Sequence, residues 1–244
     1  MDIYIQSAGT SPDFDYSWQP QVPPLLNRVS GLIQSESPSL VLAKFEDQFF
    51  LLITGLESPT KKDFAGRVIR HSIAWITEAN DDGERITRAI ASQYLQGEFS
   101  IGDIDRLIEL GGKNGFYFDS SKFKELSNSI LDSLTLKDSD NLLADTMKIG
   151  KNSQDLRNSL ALELQNYLLP YNYELLVVVT GIKSEDSLAQ ANIWRSLSNL
   201  VKSENWKTVS KKEEDLSPKK LIAAIALILL IVAIAIVLLT LLVR

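Results

Sequence analysis

The chain has 244 residues, with 31 Asp and Glu against 25 Lys and Arg, a net charge of −6 and no cysteine. The acidic balance argues against a nucleic-acid-binding surface, which needs a basic excess. The missing thiols exclude disulfides, thiolate metal sites and a cysteine nucleophile. All 31 acidic residues but only 22 of the 25 basic ones precede Pro218, so that part carries a net −9 and is a poor match for anionic lipid.

Taken in chain order, DIYIQS (2–7) reads as a short strand. A turn-rich stretch with Phe14, Tyr16 and Trp18 follows, and Pro23-Pro24 leads into a helix over 25–34. The β-rich runs 40–45 and 48–56, separated by Glu46-Asp47, read as a hairpin. After the polar loop ESPTKKDFAG comes a third strand over 67–77. The middle is helical. Over 84–96 Ile86, Ala89, Ile90 and Tyr94 share a face, and Gly97 is a stop. A short helix with Ile104, Leu107 and Ile108 ends at Gly111-Gly112, and FYF (116–118) is a small strand or packing plug. Ser120 can cap a helix bearing Phe123, Leu126, Ile130 and Leu134; 137–141 is loop-like. Ser153 can cap a helix with leucines at 156, 160, 164 and 168, closed by Pro170.

The apolar run 174–182 suits a central strand buried on both faces. Ser184 caps the next helix, with Glu185 and Asp186 at its positive end; an apolar stripe of Ile193, Trp194, Leu197, Leu200 and Val201 extends it. Residues 205–210 are an edge-strand candidate. LLITGLES (51–58) and VVVTGIKS (177–184) echo one another, either as a duplicated unit or because strands often end in Gly followed by a capping Ser. The pattern implies an α/β or α+β domain over 1–210, a mixed β-sheet with flanking helices, joined by a charged linker (211–220) to a C-terminal transmembrane helix.

That last element is LIAAIALILLIVAIAIVLLTLLV (221–243), apolar except for Thr240. At 1.5 Å per residue it measures about 34 Å, enough to cross a hydrocarbon core of about 30 Å. Lys219 and Lys220 precede it and Arg244 ends it. The amino terminus has neither the basic nor the apolar region of a signal peptide. The paired lysines favour a cytoplasmic amino-terminal side, so the expectation is a single-pass tail anchor with the domain in the cytoplasm. The span has no ionisable residue and hence no ion pathway of its own. Its alanines permit helix association without a Gly-x-x-x-Gly motif.

Motifs for chemistry are missing. GLESPTKK lacks the second Gly and the Gly-Lys-Ser/Thr ending of a phosphate-cradling loop; there is no dinucleotide fingerprint and no Gly-x-Ser-x-Gly elbow. His71 is the one histidine, which removes the His-Glu-x-x-His zinc pattern; in a predicted strand it reads as structural before it reads as a base. The acidic pairs Asp13/Asp15, Asp103/Asp105 and Asp138/Asp140 lack the Gly and distal Glu of a calcium loop and suit turns or caps. The polar cluster Lys61, Lys62, Asp63, Arg67 and Arg70 around Gly66 can hold a phosphate or a partner's carboxylate, or form a solvated face that protects a sheet edge. Tyr16 and Trp18 fit a partner-binding surface or a core closure equally well.

DIYIQSAGTSPDFDYSW (2–18), LLITGLES with DFAGRVIRHSIAW (51–75), and VVVTGI with NIWRSLS (177–198) together resemble the accessory components of bacterial multi-gene conflict and immunity systems built around GTPase or AAA-ATPase modules. The resemblance implies a non-enzymatic component beside a nucleotide-hydrolysing partner, as a membrane-tethered sensor or effector; it carries over no catalytic residue. The functional expectation is therefore a tail-anchored binding, sensor or scaffold module, not an enzyme. It would work without cofactor or metal, with a protein partner, and with homo-oligomerisation open. The alternatives are a membrane-disrupting effector acting through clustered spans, and an enzyme on a phosphorylated ligand near Arg67 and Arg70.

Overall fold

The computed structural model describes residues 1–34, 36–139 and 146–209. The chain divides into Met1–Ser210 and Lys211–Arg244, so the linker and the 221–243 segment, with Lys219, Lys220 and Arg244, lie outside the described residues. Among the described residues no helix is long and apolar enough to cross a membrane.

The amino-terminal half is an antiparallel meander. It consists of β1 (Asp2–Ser7), β2 (Ser17–Gln19), β3 (Ser39–Phe45), β4 (Gln48–Lys62) and β5 (Val68–Glu78), with a one-turn helix α1 (Leu26–Val29) and a 3-10 turn (Ser30–Leu32) before β3. The middle supplies α2 (Asp81–Gln96), α3 (Ile101–Leu107), a two-stranded ribbon of β6 (Ile108–Leu110) and β7 (Phe116–Phe118), and α4 (Ser120–Asp132). The carboxyl half is β8 (Met147–Lys151), α5 (Gln154–Asn166), β9 (Leu175–Thr180), α6 (Glu185–Gln190), β10 (Ile193–Ser198) and β11 (Lys207–Val209). One nine-stranded sheet joins both halves in the order β11-β8-β10-β9-β3-β4-β5-β1-β2. β8, β10 and β9 run parallel, and every other neighbouring pair is antiparallel. This is the mixed sheet with flanking helices that the sequence pattern implies.

The two crossovers explain the parallel part. From β8 through α5 the chain moves two strand positions to β9, and through α6 it returns one position to β10. Leucines 156, 160 and 164 of α5 join the core on one face, and Leu188 of α6 joins the core on the other. Opposite directions on opposite faces give both crossovers the same hand, as a twisted sheet requires. The first face is the larger core, where α2, α4 and α5 deliver Ile90, Leu95, Phe123, Leu160 and Leu164. The second is covered more thinly by α1, the 3-10 turn and α6, through Val29, Ile33 and Leu188.

Several local expectations change, among them the helix bearing Ile108, which stops at Leu107 and gives way to β6, and the helix bearing Leu168, which stops at Asn166. The helix expected through Val201 stops at Gln190; Asn192 takes a left-handed φ of 53°, and the next six residues form β10, buried along its whole length. Ile193 and Trp194 suit a pleated, doubly covered strand better than a helix face. β8 has no strong pattern of its own: MKIGK is held by its ladders with β10 and β11, and α5 packs closely over Gly150, where a Cβ would fall 2.5 Å from Leu156 Cδ1 and force that side chain to move. The helix after Pro24 is reduced to one turn plus the 3-10 turn. Asp119, not Ser120, caps α4.

The echoed segments take equivalent places and then part. β4 and β9 flank β3 on its two sides; Thr54 lies opposite Ser39, and Val179 pairs with Leu40 one step before Thr180. After Thr180 the chain turns to the Ser184 cap of α6. After Thr54, β4 passes through Gly55 at φ +69° and continues as strand. Thr54, Ser39 and Ser198 use their hydroxyls to hold loops: Thr54 and Ser39 donate to the Ser37 carbonyl at 2.9 and 3.1 Å, and Ser198 donates to the Lys183 carbonyl at 2.5 Å.

Candidate functional site: an arm locked by Asp105

The loop expected between the second and third strands is in fact the distal half of a long hairpin. β4 and β5 stay paired to Lys62↔Val68, past the point where β1 ends against β5 at Gln6↔Ser72. The result is an arm, residues 57–70, projecting beyond the rest of the sheet. It contains a bulge: from Glu57↔Arg70 to Lys62↔Val68, β4 advances five residues while β5 advances two. A bulge re-aims side chains, and here Ser58, Thr60 and Lys61 turn onto α3.

They meet a single carboxylate. Asp105, on α3, is 2 % exposed. Ser58 Oγ donates to its Oδ1, Thr60 Oγ1 donates to its Oδ2 at 2.5 Å, and Lys61 Nζ sits 2.9 Å from Oδ2 while also donating to the Asp105 carbonyl. From β5, fully buried His71 brings Nε2 to 3.2 Å from Oδ1. Burial raises the Asp105 pKa, but the hydrogen bonds from Lys61, Ser58, Thr60 and His71 overcome it and hold the carboxyl at about 2. For His71 burial dominates and lowers the pKa, against the pull of Asp105. The imidazole is therefore neutral at pH 7, with Nε2–H donating and Nδ1 left without a partner. Satisfied four ways, the buried carboxylate ties the arm to the helix.

The chemistry open to this cluster is limited by where its protons point. A nucleophilic serine hands its proton to a histidine that a carboxylate orients behind it. Here Ser58 and His71 both donate to the same carboxylate, and Ser58 Oγ also accepts from the amides of Thr60 and Lys61 at 3.2 and 2.7 Å. The arrangement is a lock. Among the described residues no group of three or more acidic or histidine side chains forms a metal site.

The outer surface of the arm is different. Phe64 at the tip is 56 % exposed and Val68 42 % exposed. Tyr16, from the loop before β2, reaches over so that its hydroxyl accepts from the Arg70 amide at 2.9 Å. The structure thus brings together Tyr16, Arg67 and Arg70, while each cation but one has a carboxylate of its own. Lys61 is on Asp105, Arg67 Nε is 2.7 Å from Asp63, and Arg70 Nη2 is 2.8 Å from Glu57. Lys62 is exposed. Trp18 stands apart, half-buried on the second core opposite Gln6, where it closes the sheet edge.

Sequence reasoning passed over Asp105, treating Asp103/Asp105 as cap chemistry. Asp103 does fit that role, with its amide on the Ser100 cap and its carboxylate 2.6 Å from Arg106. A signal for Asp105 existed: a carboxylate in the last turn of a helix opposes the helix dipole and calls for compensating donors elsewhere. Asp138, of another acidic pair, accepts from Arg85 and lies 3.0 Å from buried Arg88, which also donates to the carbonyls of Lys137 and Leu164 at 2.6 and 2.7 Å. No protein-family model, no curated protein and no solved structure matches the chain.

Proposed function

We infer that this protein is a partner-binding module, tethered to a membrane by its apolar 221–243 segment, with the arm as its docking element. The observation that carries the reading is the contrast between the two sides of the arm. The side toward α3 is fixed by a buried, four-donor carboxylate, whereas the outer side displays Phe64 and Val68 beside Tyr16. A protein that spends a buried ionic lock on a projecting hairpin pre-organises it, and pre-organisation cuts the entropy cost of binding. An apolar centre rimmed by Lys62, Arg67, Arg70 and Glu57 has the anatomy of an interface patch. Confinement at a membrane would raise the effective concentration of the arm for partners held on the same surface. The role of sensor or scaffold beside a GTPase or ATPase in a bacterial defence system, with the domain in the cytoplasm, is part of this proposal.

The test is crosslinking and affinity capture of the full chain, extracted in detergent from its native cells. Phe64→Ala with Val68→Ser should lose the captured partner while leaving membrane fractionation unchanged, and deletion of 221–243 should do the reverse. Capture unaffected by the double substitution would refute the arm as docking element.

A further inference from the structure

We draw no further inference here: the strongest candidate, the open cleft along the outer face of α5 lined by Ser159, Leu162, Glu163 and Tyr167, is an unpartnered face on which Leu162 and Tyr167 are exposed, and nothing in the structure shows what covers it.

Discussion

Replacing Asp105 by Asn tests the lock directly. Its depressed pKa sets a floor on the cost: a carboxyl moved from 3.8 to about 2 stabilises the fold by about 2 kcal/mol at neutral pH, at 1.36 kcal/mol per unit. Removing one partner of a buried ion pair strands the other, which typically costs about 3–5 kcal/mol. Lys61 keeps a little solvent access, with its side chain 15 % exposed, so the lower end applies. We expect roughly 3 kcal/mol, or about 6–12 °C in Tm for a domain of this size, read by urea denaturation of the full chain in detergent. The pH dependence is the sharper check. A depressed carboxyl contributes fully above its unfolded pKa and loses that contribution as pH falls through the folded value. The gap between wild type and variant should be flat from pH 8 to 5 and smaller by roughly 1 kcal/mol at pH 3. Trypsin should cut the variant faster after Lys61, Lys62, Arg67 and Arg70. A loss below about 1 kcal/mol, or a gap that does not move between pH 5 and 3, would refute the four-donor reading.

The buried imidazole gives the opposite end of the scale. His71 has a pKa lowered by burial, so the unfolded chain takes up its proton first and stability falls as pH drops below about 6.5. His71→Gln should remove up to about 1 kcal/mol of the wild-type stability loss between pH 7 and 5.5, measured by urea titrations at each pH; an unchanged pH profile would mean that His71 is not buried neutral. Gly55→Ala should cost about 3 kcal/mol or more, because the position has φ +69° and a Cβ there would lie 2.4 Å from the Pro38 nitrogen. A urea midpoint that barely moves would show that β4 does not pass so close to the 37–38 segment.

Where a segment's own pattern agreed with its final surroundings, the sequence was readable. The β3–β4 hairpin, the doubly buried β9, and the Gly97 stop of α2 all announced themselves through periodicity and end signals. β10 did not, because its Ile-Trp and Leu spacing satisfies a helix as well as a strand until Asn192 breaks the chain direction. β8 did not, because its five residues owe their strand state to neighbours that are distant in sequence. The arm was hidden for a related reason. ESPTKKDFAG is polar and turn-like by composition, and only Asp105, more than forty residues away, makes its bulged strand stable. Tyr16, Arg67 and Arg70 were singled out from residue type and do come together. Trp18 was singled out on the same grounds and belongs to the sheet edge.

The position of β11 has a mechanical consequence. It runs antiparallel to β8, and Val209, opposite Met147, is its last residue. The chain therefore leaves the sheet at the end where β8, β9 and β10 begin. The arm extends from the other end, where β4 outruns its neighbours. A pull at Val209 directed along β11 would load that strand along its own axis. The rungs to β8 lie across that axis, so they would bear the load together in shear instead of parting one by one. Such a load at Val209 would meet β8 and the parallel strands behind it, at the opposite end of the sheet from the hairpin arm.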